Sequence, residues 1–186
     1  MKRKLAIIGA SYLQKPLVEK AREMGFETHI FAWEEGAVCK NIGDYFYPVS
    51  IREIDTILEQ CKKIKPTGIV SIGSDLAMIA VNTIAHELGL IGNSIESTEL
   101  CNNKYFMRLC LSKAGIECPK YVKYSKELCE DNLKGMNYPL IVKPVDRSGS
   151  RGVNLVKVKS DLESAVKEAE NESLSDEVII EEFIEG

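Results

Sequence analysis

Long apolar runs, clustered histidines, paired cysteines and a surplus of positive charge are all missing from this sequence. Each absence closes off a class of function. The apolar run after MKRK reaches only Ala10 before Ser11-Tyr12-Leu13-Gln14-Lys15, too short for a secretory signal and far too short to span a bilayer. It reads as the first buried strand of a cytoplasmic protein. His29 and His86 stand alone, which leaves little for a histidine metal site or a catalytic triad. Cys39, Cys61, Cys101, Cys110, Cys118 and Cys129 never approach CxxC spacing and sit among apolar or helical residues, a pattern of reduced thiols. With 24 Lys and Arg against 28 Asp and Glu the net charge is −4, so nothing recommends a nucleic acid or an anionic membrane as partner. The phosphate loop GxxxxGK(S/T) does not occur. Gly9-Ala10-Ser11 lacks the later glycines of GxGxxG, and Ala32-Trp33 stand where a nicotinamide enzyme places an acid at the end of its second strand.

What is present describes an ordinary soluble protein, 186 residues long and 45% hydrophobic, enough for one large or two small domains. Strand and helix alternate from residue 1 to about 93. Leu5–Ile8, Thr28–Ala32, Asp44–Pro48 and Gly68–Ile72 read as strands. Between them, Leu13, Leu17, Ala21 and Met24 form a helical stripe ended by Gly25. Ser50 and Glu53 read as a capping box for a helix with Ile54, Ile57, Leu58, Cys61 and Ile64 inward, which Pro66 breaks. A further helix carries Met78, Ile79, Val81, Ala85 and Leu88. This alternation predicts an α/β domain with a parallel sheet, whose ligands bind at the carboxyl ends of the strands. Gly9, Ala10, Ser11, Ser74 and Asp75 are therefore candidate substrate-binding residues, although small residues there also make tight turns and N-caps.

From residue 94 the pattern changes to a smaller α+β module. Asn103–Ala114 and Ser125–Leu133 read as helices, Ser160 and Glu163 as a capping box, and Val178–Phe183 as a last strand. At its centre lies Tyr138–Val156, YPLIVKPVDRSGSRGVNLV, two apolar strands joined by a polar loop. Gly149 and Gly152 allow backbone N–H groups to converge on an anion, and Lys143 adds a charge suited to phosphate. A solvated hairpin loop is the alternative on these residues alone.

Four features in order then resemble the ATP-grasp superfamily: Asn103-Lys104 opening a helix, Tyr138–Pro144, the loop Asp146–Val153, and Ile179-Ile180-Glu181-Glu182-Phe183-Ile184-Glu185-Gly186. The likeness is closest to the carbamoyl-phosphate-synthetase and biotin-carboxylase-like branch. It implies a Rossmann-like pre-ATP-grasp domain over 1–93 and an ATP-grasp lid subdomain over 94–186. Lys104 and Lys143 would contact the α- and β-phosphates of ATP. Ser148, Gly149, Ser150, Arg151 and Gly152 would form the lid loop, and Glu181, Glu182, Phe183 and Ile184 the adenine hinge. The implied reaction activates a carboxylate as an acyl phosphate for attack by an amine, giving ADP and phosphate. The family's ribose acid, Mg2+ ligands and catalytic arginine lie beyond the hinge, so they are expected past residue 186. The 186-residue chain is expected to be the inactive N-terminal piece of a ligase, with no metal site of its own and its Asp146–Val153 loop the least contacted internal segment. A non-catalytic nucleotide-binding or regulatory module is the alternative. ATP and an unidentified carboxylate and amine are the expected partners, with homodimerisation open.

Overall fold

In the computed structural model, which describes residues 2–124 and 133–185, the first apolar runs become β1 (Lys4–Ile8), β2 (Glu27–Ala32), β3 (Tyr45–Pro48) and β4 (Gly68–Val70). They pair in the order β3-β2-β1-β4, every pair parallel. A parallel strand buries both faces, and β1 does so by alternation. Ala6 and Ile8 pack with Ile57, Cys61, Ala80 and Ile84 from α2 (Ile54–Ile64) and α3 (Asp75–Glu87). Ile7 faces the other way, onto Val18 and Ala21 of α1 (Lys15–Glu23). The result is a three-layer sandwich.

Two helix starts differ from the sequence reading. Pro16 stands in the first turn of α1, so the helix opens after Leu13 and ends before Met24. Both of those residues are exposed, and the inward stripe is Val18 and Ala21 with Leu17 partly covered. Ser50 and Glu53 do touch, the Ser50 N–H donating to Glu53 Oε1 at 3.1 Å. The Ser50 hydroxyl, however, accepts from Arg52 N, so the pair closes a turn ahead of α2, whose N-cap is Glu53 itself. In α3 the buried stripe is Ala77, Ala80, Val81, Ile84 and Ala85, while Met78 and Leu88 pack at its margin.

The chain divides into two compact units, Met1–Thr98 and Glu99–Gly186. Across that division runs α4 (Ile95–Asn102), a helix that the sequence does not announce, because IESTELCN carries almost no apolar stripe. In the second unit α5 (Lys104–Lys113) begins where expected, with Asn103 Oδ1 accepting from Tyr105 N and Phe106 N. The segment Ser125–Leu133, read as a helix, lies outside the described residues apart from Leu133.

An antiparallel sheet follows, built from β5 (Tyr121–Lys123), β6 (Leu140–Pro144), β7 (Asn154–Val156) and β8 (Val178–Glu182) in the order β5-β8-β6-β7. The hairpin read from Tyr138–Val156 is β6–β7, with Leu140 opposite Val156 and Val142 opposite Asn154. One sheet face, through Leu140, Val142, Val156, Val178 and Ile180, packs on Ala165, Val166 and Ala169 of α6 (Leu162–Glu172). Each buried leucine, isoleucine or valine among them contributes about 1.5–3 kcal/mol. No Ser160–Glu163 box forms. A 3-10 turn over Lys159–Asp161 leads into α6, and the Ser160 hydroxyl bonds Asp161 instead. Among the described residues no helix is long and apolar enough to cross a membrane.

Candidate functional site

The opposite face of the antiparallel sheet collects the charges. Register sets Ile141 against Glu181 and Lys143 against Ile179, so Lys143 and Glu181 are diagonal neighbours on one face. Glu181 is almost fully buried at 3% exposure. Its Oε2 accepts from Lys143 Nζ at 2.5 Å. Its Oε1 accepts from Arg108 Nε at 2.7 Å, and Arg108 Nη2 reaches Oε2 at 3.3 Å. Burial pushes the Glu181 carboxyl upward in pKa, but the bonds from Arg108 and Lys143 outweigh it and hold the group below the usual carboxylate range. The same bond to Glu181 raises Arg108. The cluster is two cations on one anion, a net positive charge held in a poorly solvated place.

Lys104, the first residue of α5, is tied to the neighbouring loop. Its backbone N–H donates to Val145 O at 2.9 Å, and its ammonium reaches the carbonyl of Arg147. The loop is fastened at both ends. The Asp146 carboxylate accepts from Ser173 Oγ at 3.0 Å, Leu174 N at 3.1 Å and Ser175 Oγ at 2.8 Å. Burial raises the Asp146 carboxyl, but these bonds prevail and its pKa is lowered. Arg147 Nε bonds the Glu172 carbonyl. At the far end Gly152 lies so close to α6 that a Cβ there would stand 2.9 Å from Glu172 Cβ and 3.0 Å from Pro144 Cγ. Between these anchors only Ser148, Gly149, Ser150 and Arg151 project. The weakly contacted segment is therefore shorter than the Asp146–Val153 loop of the sequence reading. Gly149, Ser150 and Gly152 have φ of +67°, +57° and +66°. Ser150 pays for a left-handed conformation that only its surroundings can impose.

The four hinge residues divide. Glu181 points into the cation cluster. Glu182 Oε1 accepts from Asn137 N at 2.8 Å, the Phe183 N–H donates to Pro139 O at 3.0 Å, and Ile184 is exposed. A cleft in this unit lies elsewhere. It is about 530 Å³, lies on the α6 side, and is bordered by Tyr124 and Leu133, which flank the undescribed segment.

In the first unit, Gly9–Ser11 and Ser74-Asp75 lie past the carboxyl ends of the adjacent strands β1 and β4. Their polar groups are largely engaged already. The Ser11 N–H and hydroxyl donate to Gln14 Oε1 at 3.0 and 2.7 Å, and Gln14 Nε2 bonds the Ile72 carbonyl. Ser74 caps α3 through Ala77 N at 3.3 Å. Sequence reasoning missed Gln14 and Arg108. For Arg108 a signal existed, since it follows Lys104 by four residues and so shares its helix face. Among the described residues no group of three or more His, Cys, Asp or Glu side chains is placed to hold a metal ion.

Residues 111–186 match the family model for the D-ala D-ala ligase C-terminus. The chain is 28% identical over 190 residues to a formate-dependent phosphoribosylglycinamide formyltransferase of Prochlorococcus marinus, covering 99% of this chain and 48% of that protein. It is 30% identical over 146 residues to the carbamoyl phosphate synthase large chain of Thermotoga petrophila, covering 76% of this chain and 13% of that one. The biotin carboxylase domain of a Hydrogenobacter thermophilus 2-oxoglutarate carboxylase, solved with MgADP, shares the fold. Its TM-score is 0.78 at 17% identity, over 100% of this chain and 45% of that chain. The chain thus spans about half the length of the formyltransferase relative.

Proposed function

Because the chain belongs to the ATP-grasp superfamily, on the branch of carbamoyl-phosphate synthase and the biotin carboxylases, we propose that residues 1–186 form the ATP-binding part of a carboxylate-activating ligase. The observation that carries this reading is the Lys143–Glu181–Arg108 cluster, with its net positive charge, beside a loop whose backbone turns left-handed at Gly149, Ser150 and Gly152. Residues 94–186 act as the lid subdomain and residues 1–93 as the pre-ATP-grasp domain. Lys104 and Lys143 bind the α- and β-phosphates. The N–H groups of Ser148–Gly152 cover the β- and γ-phosphates, with Arg151 adding charge. Adenine lies at the strand end, where a carboxylate and a backbone carbonyl of the Glu181–Ile184 hinge accept from its amine and the Ile184 N–H meets the ring. Gly9, Ala10, Ser11, Ser74 and Asp75 contribute to the acceptor side.

In the reaction a carboxylate oxygen of the substrate attacks the γ-phosphorus, and the bond to the β–γ bridging oxygen breaks to release ADP. An amine then attacks the acyl carbon, phosphate departs, and the new amide nitrogen loses a proton. The part played by this chain is to fix the triphosphate electrostatically and to exclude water from the acyl phosphate. The role assigned to this chain is binding and positioning of the nucleotide. Because the chain covers 48% of the formyltransferase relative, residues 1–186 alone are expected to bind Mg-ATP weakly and not to turn it over.

Chemical-shift mapping of the 186-residue chain with millimolar Mg-ATP tests the reading. Perturbations should gather at Lys104, Lys143, residues 148–152 and residues 181–184. Scattered or absent shifts would overturn it. Products distinguish the chemistry: the protein that carries this chain should release ADP and phosphate, and AMP with pyrophosphate would refute the acyl-phosphate route.

A further inference from the structure

Glu181 holds two cations where one would neutralise it. A buried carboxylate stripped of its only partner is strongly disfavoured, because neither water nor another charge compensates it. If Lys143 alone faced Glu181, moving its ammonium to a phosphate would strand that carboxylate. Arg108 changes this. Its Nε and Nη2 both reach the carboxylate, at 2.7 and 3.3 Å, in the forked geometry that only a guanidinium supplies. Lys143 makes a single bond to the same group, at 2.5 Å, from a long flexible stem on β6. One cation is therefore built to stay and the other to move. Side-chain exposures of 19% for Arg108, 16% for Lys143 and 4% for Glu181 give both cations access to solvent and the carboxylate none, so it is the second bond of Arg108 that sets the two apart.

We infer that Arg108 is a positioning residue that keeps Glu181 compensated and in place, so that Lys143 can exchange the carboxylate for a nucleotide phosphate. The inference rests on the proposed ATP site and adds to it a residue that touches no nucleotide. Local charge gives it a sharp form. The cluster carries +1 as it stands, 0 without Arg108, and +1 again when both Arg108 and the Glu181 charge are removed.

Inorganic tripolyphosphate, which has no base to involve the hinge, is the suitable probe for the 186-residue chain. In the wild-type chain, saturating tripolyphosphate should shift the Lys143 ε-methylene resonance while the Arg108 Nε–H resonance keeps its position and slow exchange. An Arg108 signal that moves with the anion, or a Lys143 signal that does not, overturns the inference without recourse to any variant. Arg108→Met should bind tripolyphosphate at least tenfold more weakly. The double variant Arg108→Met/Glu181→Gln should return to within about threefold of wild type, with Arg108→Gln as substitute if the methionine variant loses its dispersed amide spectrum. A purely structural role for Arg108 would leave the double variant as weak as the single one, and that result refutes the exchange. Wild-type chain that binds neither tripolyphosphate nor Mg-ATP refutes the ATP site itself, and the role of Arg108 falls with it.

Discussion

A lysine that holds a phosphate and a lysine that only neutralises a neighbour differ in what their loss costs. Lys143→Ala should weaken Mg-ATP binding by about 1.5–3 kcal/mol, the range for a charged hydrogen bond, and unchanged affinity in a calorimetric titration would remove Lys143 from the site. Asp146 offers a second test at this scale. Its carboxylate gathers donors from Ser173, Leu174 and Ser175 and fixes the start of the loop. Because its folded pKa is lowered, its contribution is complete above the unfolded value of about 3.9 and fades as the pH falls through the folded value. Asp146→Asn should cost about 1–3 kcal/mol at neutral pH. The gap to wild type should narrow below about pH 3.9. Urea unfolding across that range decides the point, and a gap that stays constant would show that the ionised form is not what matters.

At the scale of elements, the loop between β6 and β7 combines two glycines that need their freedom for different reasons. A Cβ added at Gly149, where φ is +67°, would meet nothing within 4 Å, so Gly149→Ala carries only the backbone cost of about 1–2 kcal/mol. Gly152, at φ +66°, is also pressed between Glu172 and Pro144. Gly152→Ala should therefore lose a further amount of about 1–3 kcal/mol from overpacking. Equal losses in thermal unfolding would mean that the loop moves away from α6 easily. The strands around this loop were legible because their apolar runs leave few other readings: Leu140–Val142, Val178–Ile180 and Leu5–Ile8 each became the expected strand. Helix boundaries were less so. A serine three residues before a glutamate satisfies one turn as readily as a helix start, which is how Ser50 and Ser160 misled. The site was legible where residues lie close in sequence, as in Ser148–Gly152. Arg108 and Glu181 are 73 positions apart, and only the packing of α5 over the sheet brings them together. Gln14 was hidden in the same way, since its partner is the carbonyl of Ile72.

For the whole molecule, the decisive question is whether its two units carry their own stability. Met1–Thr98 holds a complete three-layer core, from Ile7 and Ile8 outward to α1, α2 and α3. A unit with its own core folds alone. One polar group sets where it can be cut. Asn82, on α3 and only 3% exposed, donates through Nδ2 to Thr98 Oγ1 at 2.8 Å and accepts through Oδ1 from Asn93 N at 3.2 Å. A chain ending at residue 92 would leave that buried amide without either partner, a penalty of about 1–3 kcal/mol. A chain ending at residue 102 keeps both, together with all of α4. Residues 1–102 should thus unfold cooperatively, at a higher urea midpoint than residues 1–92. The amide spectrum of residues 1–102 should match that of residues 2–90 in the longer chain. Equal midpoints for the two pieces would show that water replaces Thr98 and Asn93 at Asn82, and that α4 adds nothing to the first unit.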